Sequence, residues 1–397
     1  MPRRTFALGS RPLILYLAFL SAFAPLSTDM YLPALPSMAA SLETTDALSS
    51  LSISCFLLLF ALSMLFWGPY SDRVGRRRVL MLGALLYVVS SVGIALAAGI
   101  ESLLIWRGVQ AVGSGGISAM SLAIVKDVLR GPVMTRVITW IQTITILAPM
   151  LAPVVGGLLL TVTSWRGIFV CLALCGLLAG AGSLLLQETL PARSAGGAGR
   201  MLQRIAYVLG QRGFSSLLLI FSIVCMPFMA FLAVSSYVYQ NLFGVAPQTY
   251  SLFFAVNAGM SLLGPLCYGR WFASWPLRRY FALFLGIIAL AGVGLLLMGS
   301  WHPVVFALLC APISFCSSAM RPPSTVLMLH QLSTDTGTMT ALINSGGLLF
   351  GSTSMFLCSL PCWPDGIAAM GGIACLAGLA ALAGWLWADG RQIYRRI

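Results

Sequence analysis

The chain has 397 residues, of which 59% are apolar and only 8% charged, and its formal net charge is +13. A soluble domain carries about 25% charged residues, so a soluble enzyme is excluded, and the same apolar excess excludes disorder. What remains is a polytopic membrane protein. The positive charge also admits a nucleic-acid reading, which the positions of the charges decide.

A spanning helix needs about 20 mostly apolar residues. Stretches with few or no charges run over 12–42, 47–71, 79–100, 102–125, 137–165 and 167–187, then over 213–269, 280–334, 336–364 and 366–388. The 213–269 stretch has 57 residues without a charge, which predicts two helices bent near the polar run 240–248. The 280–334 stretch predicts two more, bent near Ser300-Trp301-His302-Pro303. The expected fold is therefore an all-α membrane protein of twelve transmembrane helices in two six-helix bundles, 1–187 and 214–397. The segment 188–213, with Gly196-Gly197 and four arginines, is the expected cytoplasmic linker. Its later part, 200–209, predicts a short interfacial helix with Arg200 and Arg204 on one face and Met201, Leu202, Ile205 and Leu209 elsewhere.

With a cytoplasmic N-terminus, twenty of the 23 basic residues fall on one side. They are Arg3, Arg4 and Arg11; Arg73, Arg76, Arg77 and Arg78; Lys126, Arg130 and Arg136; Arg193, Arg200, Arg204 and Arg212; Arg270, Arg278 and Arg279; and Arg391, Arg395 and Arg396. Arg166 falls on the other side, and Arg107 and Arg321 lie within spans. This is the positive-inside pattern, and an even span number puts both termini in the cytoplasm. The basic charge thus reports topology, and no nucleic-acid partner is expected. Arg3 and Arg4 before an apolar run resemble a signal peptide, but the run is long and holds Asp29, which predicts a retained first span.

The ten cysteines are scattered, as small buried hydrophobes are. No Cys-x-x-Cys and no His/Cys cluster suggests a metal, and His302 and His330 lie near span ends. Cys358 and Cys362 leave a disulfide open. The halves echo each other: Gly68-Pro69 precedes Arg76-Arg77-Arg78, and Gly264-Pro265 precedes Arg278-Arg279. The first copy holds Asp72, whereas the second has Cys267 and Tyr268 in that region and no acid. A parallel repeat of six spans is the layout of a secondary transporter.

Two charges lie where hydrocarbon disfavours them. Asp29 falls about 26 Å along the first span, at roughly 1.5 Å per residue, and Arg107 lies in the outer half of the fourth. Groups of opposite charge at one depth are expected to pair or to share a wet cavity. Asp29 then either exchanges a proton or binds a cationic group, or else forms a fixed ion pair locking spans one and four. Burial and the guanidinium act on its carboxyl in opposite senses. Arg321 is expected near the cytoplasmic end of span ten, where it can snorkel.

Gly68-Pro69-Tyr70-Ser71-Asp72-Arg73-Val74-Gly75-Arg76-Arg77-Arg78 resembles the loop 2–3 signature of the major facilitator superfamily. The resemblance implies a charge-relay latch, closed in the outward-facing state, with Asp72, Arg73 and Arg76 as its charged members. Gly68 and Gly75 are expected to permit a tight cytoplasmic turn. Arg107-Gly108-Val109-Gln110-Ala111-Val112-Gly113 is similar to the family's span-four motif, whose arginine goes with proton coupling. Ala148-Pro149-Met150-Leu151-Ala152-Pro153-Val154-Val155-Gly156-Gly157 is similar to its antiporter motif, with Ala152 where glycine is common. Pro149, Pro153, Gly156 and Gly157 are that motif's residues here, and in the family the motif goes with export. Trp165-Arg166-Gly167-Ile168-Phe169 is another familiar stretch.

Thr28-Asp29-Met30-Tyr31-Leu32-Pro33-Ala34-Leu35-Pro36 resembles the first span of the bicyclomycin/chloramphenicol resistance (Bcr/CflA) branch of 12-span drug:proton antiporters. Tyr237-Val238-Tyr239-Gln240-Asn241-Leu242-Phe243-Gly244 resembles that branch's seventh span. The resemblance implies proton-coupled efflux of small lipophilic drugs by alternating access, with Asp29 and Arg107 as the coupling residues. No cofactor is expected, the proton gradient being the energy source. The expected partners are a small-molecule substrate, protons and the lipid bilayer, with the protein a monomer in the bacterial inner membrane. Polar candidates for the substrate cavity are Gln110, Gln142, Asn257 and Asn344, and aromatic ones are Tyr31, Trp140, Tyr237 and Tyr239. A dedicated carrier, such as a metallophore exporter or a nucleoside-type uptake carrier, stays open as a second reading. A membrane-embedded sensor or enzyme is a third, although the sequence has no nucleotide loop and no His-Glu-x-x-His.

Overall fold

The structure is a computed structural model that describes residues 10–129, 131–190, 198–332 and 336–394. Every regular element among these residues is helical. The cause is the solvent: in hydrocarbon each backbone N–H and C=O must find its partner within the protein, and a helix does so within one segment. The chain divides into two compact units, Met1–Gly196 and Gly197–Ile397, and the division falls inside the 188–213 segment.

In the first unit the first span is broken. Helices α1 (Ser10–Ser21) and α2 (Phe23–Asp29) are followed by a 3-10 turn, Leu32–Ala34, and by α3 (Leu35–Ser41). The stretches before and after Ala22 meet at 43°. Pro33 and Pro36 lack an N–H to continue the ladder, which is why the helix yields after Asp29. Helix α4 (Asp46–Val74) starts at Thr45, whose hydroxyl oxygen accepts from Leu48 N at 3.3 Å. Then come α5 (Arg76–Ala95), α6 (Ile100–Val128), α7 (Gly131–Leu159) and α8 (Trp165–Leu185). Helices α5 and α6 pack backbone against backbone. A Cβ on Gly113 would lie 2.7 Å from both Gly83 O and Tyr87 N, so only glycine fits there. Small residues at such seams replace the hydrophobic drive that lipid does not supply.

In the second unit, α9 (Ala198–Leu209) packs against α10 (Arg212–Ile223) and α16 (Thr336–Cys358). Helices α10 and α11 (Met226–Tyr237) form one span, extended by a π turn, Val238–Leu242. Next are α12 (Pro247–Cys267) with its π turn Tyr268–Phe272, α13 (Leu277–Met298), and α14 (Pro303–Ala319) with α15 (Arg321–Leu329). Met320 separates the last two, ahead of Pro322-Pro323, and Arg321 at this break is exposed. Helix α17 (Gly366–Gly390) starts at Asp365, whose carboxylate accepts from Ala368 N at 2.7 Å. The core of this unit is aromatic: Phe281 sits 4.7 Å from Phe221 and 4.8 Å from Trp385, centroid to centroid.

Among the described residues ten helices are long and apolar enough to cross a membrane, or eleven with the bent first pair. Helix α7 occupies the place of the fifth span, with a shorter described apolar run, Leu147–Leu159. Both Cys358 and Cys362 are free thiols, so the disulfide left open by the spacing is not formed.

The α5–α6 seam gives a stability prediction. Gly113→Val forces the two backbones apart and costs about 1–3 kcal/mol, the usual penalty of overpacking. Thermal unfolding of the purified protein should show a lowered midpoint. Gly99→Val is the control, because nothing lies within 4 Å of its added Cβ; an equal loss at both sites would contradict the seam's role.

Candidate functional site: a buried arginine and a buried acid

The sequence places Asp29 and Arg107 at one depth, and the fold brings α2, α4 and α6 together around them. Arg107 has 0% exposure and Asp29 only 3%. Yet no ion pair joins them among the described residues. Of the two readings left open, the fixed ion pair is not formed among the described residues, and the two groups sit in separate environments.

Oxygens of neutral groups hold the guanidinium. Arg107 Nη1 donates to Ser27 O at 3.1 Å and to Gln110 Oε1 at 2.6 Å, and Nη2 donates to Tyr31 Oη at 3.1 Å. A longer contact of 3.4 Å runs from Nε to Ser52 O. The guanidinium carbon also lies 4.5 Å from the Tyr31 ring centroid, 4.4 Å from Phe56 and 5.8 Å from Phe169. The broken first span makes this possible, since it turns Ser27 O and Tyr31 toward α6. A hydrogen bond to a charged group contributes about 1.5–3 kcal/mol, and a desolvated cation–π contact about 2 kcal/mol. Several of each are of the order needed to offset the several kcal/mol that burying one ion costs.

The holders are themselves fixed. Tyr31 Oη lies 2.9 Å from Ser52 Oγ, and Ser27 Oγ lies 2.6 Å from Tyr87 Oη. Gln110 Nε2 donates to Ser91 Oγ at 2.8 Å. One network therefore ties spans one to four around the arginine. Asp29 stays outside it. Its Oδ1 accepts from Thr28 Oγ1 at 3.0 Å. The antiporter-motif helix reaches the same segment. Pro153, Gly156 and Gly157 of α7 are buried, and a Cβ on Gly156 would collide with Met30 O, next to Asp29. Pro149 is half-buried.

Of the residues expected to form a latch, Asp72 and Arg76 meet at the α4–α5 junction. Arg76 Nη2 pairs with Asp72 Oδ1 at 2.7 Å and its Nε with Asp127 Oδ2 at 2.9 Å. Arg76 Nη1 also donates to Ser71 Oγ. Glu188 Oε1 accepts from Arg76 N at 2.8 Å, capping α5 from the far end of the unit. Gly75 has φ +107, a left-handed value, and a Cβ there would collide with the Glu188 carboxylate. Gly68 departs from expectation: it lies inside α4, in no turn, and nothing lies within 4 Å of an added Cβ. Arg73 is exposed at the last turn of α4.

The cavity candidates scatter. Tyr31 and Gln110 belong to the arginine network. The side chains of Trp140 and Gln142 lie outside the described residues. Tyr237 is buried, and Tyr239 packs against Phe253 at 4.8 Å and Phe306 at 5.3 Å, so its ring builds core. Asn344 is exposed on α16. Asn257 is 4% exposed, and among the described residues neither its amide nitrogen nor its amide oxygen has a hydrogen-bond partner.

The sequence profile of the Major Facilitator Superfamily matches residues 17–355, well over half of the chain. The chain belongs to the Major Facilitator Superfamily. It is 33% identical over 259 residues to the uncharacterized MFS-type transporter YdgK of Bacillus subtilis (strain 168), covering 64% of each chain. It is 33% identical over 243 residues to the multidrug resistance protein MdtL of Salmonella heidelberg (strain SL476), covering 60% of this chain and 61% of that one. These matches span less than two thirds of the relatives' lengths. Among solved structures, a peptide transporter POT in complex with sulfate aligns with a TM-score of 0.76 at 14% identity, covering 97% of this chain and 96% of that one. A D-xylose-proton symporter aligns with a TM-score of 0.70 at 15% identity, covering 94% and 97%. At such identity these two show the fold, the major facilitator fold of a multi-pass membrane protein.

The two repeats of this fold solve one problem with different acids. In the first, the start of α5 is held by Asp127 and Glu188. In the second, Arg278 at the start of α13 pairs with Asp389 near the end of α17, Nε to Oδ2 at 3.3 Å. Tyr394 Oη donates to Asp389 Oδ1 at 2.7 Å. The acid missing beside Cys267 and Tyr268 is thus supplied by the last span. Sequence reasoning singled out none of Asp127, Glu188 and Asp389. The available signal was scarcity: the chain has ten acids, and these three sit at span ends on the arginine-rich side.

Arg76→Ala leaves Asp127 and the α5 start without their partner. Breaking a largely buried ion pair costs about 3–5 kcal/mol, so the thermal midpoint should fall by several degrees. Arg73→Ala should leave it nearly unchanged. Equal effects would show that Arg76 contributes only surface charge.

Proposed function

We propose that the protein exports small lipophilic compounds across the bacterial inner membrane in exchange for protons, by alternating access, as a member of the Bcr/CflA branch. The observation that carries this reading is the buried Asp29 carboxyl, which has Thr28 as its hydrogen-bond partner and no ion pair with the buried arginine nearby. An acid locked to Arg107 would be a structural charge. An acid beside a guanidinium already held by neutral oxygens keeps its proton chemistry available.

In the outward-facing state Asp29 takes a proton as substrate leaves; in the inward-facing state it gives the proton up as substrate binds. Arg107 does not carry the proton, because a guanidinium stays protonated in proteins. It fixes Tyr31 and Ser27, and so the place of the acid. The close approach of Gly156 to Met30 supports the coupling of α7 to this segment, since a shift of either moves the other. Asn257, with an unused donor and acceptor, supports a contact to a neutral hydrogen-bonding group of the substrate. The kinship with a protein named for multidrug resistance supports drugs as the substrate class.

Inside-out vesicles under an imposed pH gradient test the proposal. The probes are a panel of unrelated compounds, ethidium and chloramphenicol among them. Wild type should accumulate several of them, and Asp29→Asn should lose accumulation while retaining gradient-free substrate exchange. Accumulation by Asp29→Asn at the wild-type rate would overturn the assignment. Transport of a single metabolite and of no drug would favour a dedicated carrier.

A further inference from the structure

At one end of the second unit, the close of α9, the start of α10, the turn after α15 and the turn after α17 border an open-mouthed cavity of about 640 Å³. This is within the range of small-molecule sites, about 300–1,000 Å³. Nothing in the proposed transport reaction uses it.

Its chemistry is one-sided. Among the described residues its lining holds one cation, Arg212, three carboxamides, Gln211, Gln331 and Gln392, and no carboxylate. Asp389, close by in sequence, is outside the lining and engaged with Tyr394 and Arg278. Gln331 is buried and donates from Nε2 to Leu327 O at 2.9 Å, which directs its carboxamide oxygen toward Gly213 at the start of α10. Tyr394 forms the inner wall, its ring stacked on Trp385 at 5.4 Å. Among the described residues Gln211, at the N-cap of α10, makes no side-chain capping bond, so the positive end of this 12-residue helix adds to the charge of Arg212.

The surroundings are those of a membrane surface. The cavity lies on the arginine-rich side, where positive-inside residues meet lipid headgroups. Tyr207, in the lining, is 53% exposed and lies one turn before Gly210 on the face of the amphipathic helix α9 that borders the cavity. An exposed aromatic ring beside a hollow that holds a cation and, among the described residues, no carboxylate matches a ligand with a phosphate at one end and hydrocarbon at the other.

We infer that this cavity binds a phosphate-bearing anion, and that the exposed Tyr207 at its rim selects the headgroup of an anionic phospholipid over free phosphate. The headgroup phosphate accepts from the Arg212 guanidinium and from the Gln211 and Gln392 carboxamides, and an acyl chain lies along Tyr207. Occupancy ties the α9 helix and the C-terminal turn to the bundle from the lipid side. This site is independent of the export reading and stands or falls without it.

The test uses the full chain, purified and tested in three arms: phosphatidylglycerol, phosphatidylcholine, and inorganic phosphate at fixed ionic strength. The readouts are thermal midpoint and bound lipid by native mass spectrometry. Phosphatidylglycerol should raise the midpoint and phosphatidylcholine should not. Arg212→Gln should weaken phosphatidylglycerol binding about tenfold, the usual loss of one charge-assisted hydrogen bond. Gln392→Glu, which puts an anion into the lining at an exposed position, should weaken it as well if Arg212→Gln folds poorly. Arg270→Gln, exposed on the same side but outside the cavity, should bind as wild type does. Equal weakening by Arg212→Gln and Arg270→Gln, or no preference over phosphatidylcholine, would overturn the site. An Arg212-dependent shift with inorganic phosphate but none with phosphatidylglycerol would overturn the lipid assignment in favour of a soluble phosphate.

Discussion

The first unit depends on how a guanidinium is kept in hydrocarbon without a carboxylate. Arg107 meets two side-chain oxygens, two carbonyls and the faces of three rings. Each contact is modest, but all are neutral, so the net charge of the cluster stays positive. A straight helix would spend Ser27 O on its own ladder, whereas the proline-interrupted one presents it to α6.

That arrangement sorts the intramembrane charges by role. Arg107 is permanently charged and permanently held, so it positions. Asp29 is the group able to change charge, and its hydrogen bond to the neighbouring Thr28 hydroxyl survives in either protonation state by reversing its direction. The motif glycines then act through distance. Gly156 lets α7 touch the backbone at Met30, and Gly113 lets α5 touch α6, so displacement of one helix is transmitted by contact rather than absorbed by flexible side chains.

Much of this was legible in the sequence, for a physical reason. Hydrocarbon tolerates few charges, so span limits, the arginine-rich side and the exceptional Asp29 and Arg107 all stand out against an apolar background. The glycine at 75 also read correctly, because a sharp turn between two helices demands a left-handed residue. Gly68 did not, because proximity to that turn in sequence concealed its place within α4. Partners across long separations were illegible. Glu188 caps Arg76 from 112 residues away, and Ser27, Tyr87 and Ser91 become a network only when four spans meet. Whether Asp29 and Arg107 pair was illegible on the same ground: equal depth fixes one coordinate of two side chains and leaves their azimuth around each helix undetermined.

The central claim is that Asp29 is not bound as a counter-ion to Arg107 and exchanges a proton. Infrared difference spectroscopy of the membrane-reconstituted protein, titrated in pH, tests it most directly through the carboxylic acid C=O band. The account predicts a titrating band that is present in wild type, absent from Asp29→Asn, and retained in Asp72→Asn. A wild-type spectrum in which that carboxyl stays ionised over the whole range where the protein remains folded, as in a fixed ion pair with arginine, would contradict it.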